Sequence, residues 1–140
     1  MKTEISILIA DDDIDDIEFI RDAFHRSAFA GSLQFFRNGD NLMAYLLQSK
    51  QAYEQEHAAL PQLLLLDLNM PMKDGYEVLK EIKADVVLKN VPIIVVSSSP
   101  RMDEEERCIG MGCRKYYKKP ISLAEYDELV GGIYKFLETA

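Results

Sequence analysis

Tryptophan is missing from the chain, and cysteine, histidine and proline are sparse: two, two and five among 140 residues. Two cysteines make no disulfide framework, so an apolar core must hold the fold. No apolar stretch approaches the roughly 20 residues of a membrane-spanning helix. The opening Met1-Lys2-Thr3-Glu4-Ile5-Ser6 lacks the apolar centre of an export signal. Positive charge is short as well, with 16 Lys plus Arg against 24 Asp plus Glu and a net charge of -8. That balance argues against direct contact with nucleic acid, whose phosphates are gripped by clustered Lys and Arg. With no nucleic acid and no membrane indicated, the default expectation is a soluble cytoplasmic domain. The 48% hydrophobic and 29% charged fractions are those of an ordinary globular chain. The length suits one domain spanning 1–140, able to bury roughly 70% of the surface its unfolded chain exposes.

The acids are unevenly placed. Residues 11 to 18 read Asp, Asp, Asp, Ile, Asp, Asp, Ile, Glu, so six of the 24 carboxylates fall in eight residues. Those six account for most of the net charge.

Short apolar runs alternate with helix-period stretches. Ile5 to Ala10 is a β-prone run, and Ile14 to Phe29 follows with Ile17, Ile20, Ala23 and Phe24 near helical spacing. Leu33 to Phe36 is a second strand. Asn38-Gly39-Asp40 is a turn and cap before Leu42, Met43, Leu46 and Leu47, again at helical spacing. Gln48 to Gln62 is polar and either lengthens that helix or forms a loop ended by Pro61. Leu63 to Leu66 runs straight into Asp67, a loop covers Met70 to Gly75, and Tyr76 to Ala84 is a helix. Val91 to Val96 is the clearest strand. Met102 to Met111 is a polar helix closed by Gly112, Cys113 to Tyr117 a strand, and Ser122 to Leu137 a helix capped by Ser122 with Glu125 three residues on. Five strand–helix pairs of this kind predict an α/β fold, a parallel sheet with helices on both faces. The unbroken apolar strands agree, because central parallel strands are buried on both sides.

Ligands of such open sheets sit beyond the carboxyl ends of the strands. Strand one ends in Asp11-Asp12-Asp13, strand three in Asp67, strand four in Ser97-Ser98, and strand five in Lys118-Lys119-Pro120. Parallel strands bring all four endings to one edge. Clustered carboxylates resist joint ionisation unless a cation joins them, and an all-oxygen donor set suits Mg²⁺. A carboxylate beside such an ion can be the nucleophile of a phosphoryl transfer. Lys119 could pair with the phosphate as a point charge and Ser97 could donate a hydrogen bond to it. Taken singly these signals are weak. An acid run at a strand-to-helix junction is ordinarily just a favourable helix start, and Asp15, Asp16 and Glu18 are read that way.

Together the residues resemble a receiver domain, the phosphoacceptor module of two-component response regulators. The likeness covers nearly the whole chain. It rests on the acidic pair after strand one, on Asp67-Leu68-Asn69-Met70-Pro71 with Asp74-Gly75, on Ser97, and on Lys119-Pro120. The resemblance implies a doubly wound, flavodoxin-like (βα)5 sheet of strand order 2-1-3-4-5. It implies that Asp67 accepts the phosphoryl group, with Ser97 and Lys119 assisting. It implies that Asp11 and Asp12 form the acidic pocket, and that Asp12, Asp67 and the Asn69 carbonyl hold Mg²⁺. Ser97 and Tyr116 become the switch pair, and the backbone amides of Asn69 and Ser98 hold the phosphate. Asp13 is a second-choice ligand or a helix cap, and the Lys-Pro dipeptide selects Lys119 over Lys118. The implied partners are a sensor histidine kinase or histidine phosphotransfer protein and an unnamed downstream protein, with homodimerisation left open. Such a domain is a phosphoacceptor with some self-dephosphorylation rather than a turnover enzyme, and too few residues follow the last helix for an output domain. Ser99 and Asn69 flank the site and should affect how long the phosphate lasts. The extra residues around Gln48 to Pro61, with Lys80 to Asp85 and Leu88 to Pro92, resemble stand-alone receivers that serve phytochrome-like kinases.

Two other readings compete. Asp11 and Asp13 match the Asp-x-Asp pattern of haloacid dehalogenase-type hydrolases, although Asp15 stands where that pattern wants Thr or Val, and Asp67 would go unexplained. A receiver-shaped binding domain that ignores phosphorylation would leave all the chemical positions idle. Elsewhere, Cys108 and Cys113 are expected as buried thiols, His25 and His57 as surface residues, and one of Tyr116 and Tyr117 as core. Gly131-Gly132 inside the last helix costs roughly 2 kcal/mol of propensity and marks either close packing or a contact face.

Overall fold

Side-chain alternation along the strands decides the layers. In the computed structural model, which describes residues 5–98 and 102–139, β1 (Ile5–Ala10) and β3 (Leu63–Leu66) alternate between two buried clusters. Ile7, Ile9, Leu63 and Leu65 meet α1 (Ile14–Arg26) and α5 (Leu123–Thr139) through Ile20, Phe24, Leu129 and Ile133. Leu8, Ala10, Leu64 and Leu66 face the other way. They meet α2 (Gly39–Glu56), α3 (Gly75–Ala84) and α4 (Met102–Gly110) through Leu42, Leu46, Leu79, Ile82 and Cys108. With β2 (Gly31–Phe36), β4 (Ile93–Ser97) and β5 (Lys115–Lys118), the strands pair in parallel in the order β2-β1-β3-β4-β5. That is the expected doubly wound sheet. Among the described residues no helix is long and apolar enough to cross a membrane.

Several boundaries differ from the sequence-based expectation, each for a local reason. α1 stops at Arg26 rather than Phe29 because Ala28 takes a left-handed φ of 57° and turns the chain, folding Phe29 back onto Phe24 with ring centroids 5.1 Å apart. β2 begins at Gly31, two residues early, where it pairs with Ile5. β4 starts at Ile93 rather than Val91 and runs through Ser97, since Pro92 has no N–H to give a ladder. β5 covers Lys115–Lys118, not Cys113–Tyr117, because Cys113 N–H is taken by Cys108 O in the turn through Gly112 that closes α4. α5 begins at Leu123, one residue after its cap Ser122, whose Oγ accepts from Glu125 N–H at 3.2 Å.

The polar segment from Gln48 resolves into both alternatives. α2 continues to Glu56, His57 caps it in a left-handed conformation, and a short loop leads through buried Pro61 into β3. The added turns are tied down by Lys50, whose ammonium lies 2.8 Å from Asp85 Oδ2. The other Asp85 oxygen accepts from Val87 N–H and Leu88 N–H at 2.8 and 2.9 Å. The Lys50 hydrogen bond, followed by these backbone donors, holds the Asp85 carboxyl down at about 2. Asp85→Ala is expected to cost about 1–2 kcal/mol, the scale of a lost cap, read as a lower midpoint in urea denaturation. An unchanged midpoint would show that the link is ornamental.

Both cysteines are buried, and both histidines are exposed. Tyr116 and Tyr117 do pack on opposite clusters, but each is half-buried, because β5 is an edge strand with no neighbour on its outer side. At Gly132 an added Cβ would lie 2.7 Å from the Tyr117 hydroxyl, so this glycine serves close packing, whereas Gly131 faces open space.

Candidate functional site

Two short hydrogen bonds carry the sheet past its formal ends: Asp11 N–H donates to Phe36 O at 2.9 Å and Asp67 N–H to Ala10 O at 3.0 Å. The strand alternation therefore continues into Asp11 and Asp67, which turn their side chains to the α1/α5 side. Both are buried, at 4% and 2% exposure. Each carboxylate accepts a backbone N–H two residues on, Asp11 from Asp13 at 2.9 Å and Asp67 from Asn69 at 3.0 Å. Asp12 is half-buried beside them, and oxygens of Asp11, Asp12 and Asp67 all lie within 4.8 Å of one another.

Gly75 keeps the loop after β3 tight. Its N–H donates to Leu68 O at 3.0 Å, and a Cβ there would come within 2.5 Å of the Asp67 carbonyl oxygen. The Asp74 side chain caps α3 by accepting from Glu77 N–H at 2.9 Å.

Lys119 is delivered from β5. Its N–H donates to Ser97 O at 2.8 Å, fixing the strand end, and its ammonium reaches three acids: Asp16 at 2.7 Å, Asp67 at 3.1 Å and Asp11 at 3.3 Å. Lys118 is exposed on the other side of the strand. Asp13 is exposed and caps α1, accepting from Asp15 N–H at 2.8 Å, so the Asp-x-Asp reading has only one of its two acids in the pocket. Ser97 is fully buried at the end of β4, and its hydroxyl is hydrogen-bonded to that of Tyr116. Tyr116 also donates to Glu104 of α4 at 2.6 Å. Asn69 and Ser98 are exposed at the rim, and Ser99 lies outside the described residues.

The electrostatics follow from burial against one cation. Burial drives the Asp11 carboxyl up to about 7; the Asp13 N–H and Lys119 pull it down, and Asp67 and Asp16 add repulsion. Asp67 is also raised, again chiefly by burial. Burial works to lower Lys119, but Asp16, Asp11 and Asp67 overcome it and hold the ammonium firmly charged. The pocket is thus short of positive charge. Three hard oxygen donors within reach of one another fit a divalent cation such as Mg²⁺ or Mn²⁺.

Two residues of the site were not foreseen. Asp16, taken as part of a helix start, bonds Lys119, and it accepts from the Tyr126 hydroxyl of α5 at 3.2 Å. The signal was available: Asp16 lies one and two turns before buried Ile20 and Phe24 on the inward stripe, where an acid requires a partner.

Comparison with known proteins agrees with the geometry. The response regulator receiver domain profile matches residues 7–130, and the chain belongs to that family. Response regulator Rcp1 of Synechocystis is 35% identical over 134 residues, covering 95% of this chain and 89% of that protein. The crystal structure of the phosphorylated cyanobacterial phytochrome response regulator RcpA superposes with a TM-score of 0.83 at 37% identity, covering 99% of this chain and 97% of that one. The Mn²⁺-bound form of Rcp1 follows with a TM-score of 0.81 at 34% identity, covering 97% and 96%.

Proposed function

We propose that this receiver takes a phosphoryl group on Asp67 from a phosphohistidine of a partner histidine kinase or histidine phosphotransfer protein. The observation that carries this is Asp67 itself: buried, at a strand end, 3.1 Å from a lysine and clustered with two further acids. An Asp67 carboxylate oxygen forms the new bond to phosphorus as the bond from phosphorus to the histidine nitrogen breaks, and the imidazole leaves neutral after taking up a proton. Asp12, Asp67 and the Asn69 carbonyl would hold Mg²⁺, which when bound supplies positive charge against the transferring phosphoryl oxygens. Lys119 pairs with one phosphoryl oxygen, Ser97 donates to another, and the amides of Asn69 and Ser98 line the rest.

Drawing Ser97 toward the phosphate removes the hydroxyl that Tyr116 now meets. Tyr116 then shifts inward from Glu104 and alters the α4-β5-α5 face, which passes the signal to a protein target or relay. This is a two-state element biased by local charge. The test is incubation with acetyl phosphate and Mg²⁺, followed by mass-spectrometric mapping of the hydroxylamine-labile adduct. Label on the Asp67 peptide is the expected result; label confined to another peptide overturns the assignment.

The kinase side has a candidate footing. Phe19, Ile121 and Leu123, at 42%, 85% and 57% exposure, border a groove of about 300 Å³ next to Asp16 and Tyr126. A phosphohistidine cannot reach Asp67 unless its protein covers this edge, and apolar side chains there gain by being covered. Ile121→Asp is expected to slow transfer from a phosphorylated kinase about tenfold or more, while leaving acetyl phosphate labelling unchanged. Equal loss with both donors would remove this edge as the footing.

A further inference from the structure

Lys119 divides a single charge among three carboxylates, and its shortest contact is to the one outside the predicted phosphate pocket. Asp16 takes the ammonium at 2.7 Å, against 3.1 Å for Asp67 and 3.3 Å for Asp11. Asp16 is itself held by the Tyr126 hydroxyl, at 3.2 Å from its other oxygen. Tyr126 is buried at 4% exposure, with Phe19 stacked on its ring at 5.4 Å. The chain Tyr126–Asp16–Lys119 therefore runs from the α5 core to the phosphoacceptor, and every link is half-buried or buried.

We infer that Asp16, seated by Tyr126, is a positioning residue that draws Lys119 back and so restrains phosphoryl binding at Asp67. The inference rests on the phosphoacceptor reading above and adds a regulator to it. Its physical basis is competition. A charged amine bonded to one carboxylate offers less of its field to a second anion, and Asp16 also repels an incoming phosphoryl group directly. Both effects point the same way: the Asp16 side chain makes the anionic ligand bind more weakly. Tyr126 strengthens the restraint by fixing the Asp16 carboxylate, so the ammonium finds its partner pre-oriented. A helix-start acid with no such role would leave Lys119 unaffected.

The test measures beryllofluoride affinity at saturating Mg²⁺, and acetyl phosphate labelling rate, for Asp16→Asn, Tyr126→Phe and the exposed neighbour Asp15→Asn. Asp16→Asn is expected to bind beryllofluoride about three- to tenfold tighter, Tyr126→Phe to move part of the way, and Asp15→Asn to stay near the parent. In a Lys119→Ala background the Asp16→Asn gain should shrink to the small part that direct repulsion supplies, whereas a general charge effect or a fold defect would leave it whole. Weaker or unchanged binding in Asp16→Asn, or a gain undiminished without Lys119, overturns the proposal. The Lys119 ammonium proton resonance in the free protein gives a readout independent of phosphorylation. Asp16→Asn should speed its exchange with water, and unchanged exchange overturns the restraint even if the parent takes no phosphate. Failure of the parent to take label or beryllofluoride, with that resonance responding to Asp16→Asn, would instead count against the phosphoacceptor reading alone.

Discussion

An Asp67→Asn variant is expected to lose acetyl phosphate labelling by about 10³-fold or more, because an amide oxygen is a poor nucleophile at phosphorus. The same variant should be more stable than the parent without metal at pH 8, by about 1–2 kcal/mol. Burial disfavours the Asp67 charge, and a neutral side chain of the same shape removes that penalty. The Asn side-chain oxygen can still accept Asn69 N–H, so the loop keeps its hydrogen bond. Loss of labelling together with a raised unfolding free energy would mark a residue kept for chemistry at a cost to stability. Labelling at the parent's rate, or a variant less stable than the parent, would contradict this account.

The second large effect is on pH and metal. For Asp11 the folded carboxyl keeps its proton up to about 7, whereas the unfolded chain releases it near 3.8. Between those values the native state holds a proton that the unfolded state lacks, so stability falls as pH rises through the window. A displacement of about three units corresponds to roughly 4 kcal/mol, and Asp67 adds in the same direction. Asp85, held down at about 2, acts oppositely, and its contribution is lost only below about pH 4. Mg²⁺ binds the ionised carboxylates, so it should stabilise strongly at pH 8 and little at pH 5. Thermal melts with Mg²⁺ and with a chelator across this range provide the check. A metal-free protein whose stability rises from pH 5 to 8 would refute the charge deficit.

The strand ends were legible in the sequence because parallel topology leaves one edge for all of them. Asp11, Asp12, Asp67, Ser97 and Lys119 meet there, within the register set by four consecutive leucines. What stayed hidden was governed by backbone angles and by neighbours distant in sequence. The end of α1 is decided by a positive φ at Ala28, a residue type that gives no warning of it. The sequence leaves Asp13 as either a ligand or a helix cap, and it is the extended backbone at that residue that selects the cap. Asp16 stands on the inward stripe as an acid in need of a partner, but its partner Tyr126 lies 110 positions away. The start of β5 moved because the turn after α4 consumes the Cys113 amide.

The alternation that sorted the core into two clusters also sorts the site. Asp11, Asp67 and Lys119 turn toward α1 and α5, while Ser97 and Tyr116 turn toward α4. Under the proposed function, the donor footing on α1 and the start of α5 and the switch turned toward α4 therefore lie on opposite sides of one sheet, joined by the strand tips and by α5, which enters both surfaces. Substitutions in α1 can retune the choice of kinase, and substitutions in α4 the choice of target, whereas a change in α5 touches both. A designer could exchange either specificity separately, provided α5 and the tips of β1, β3, β4 and β5 are left intact.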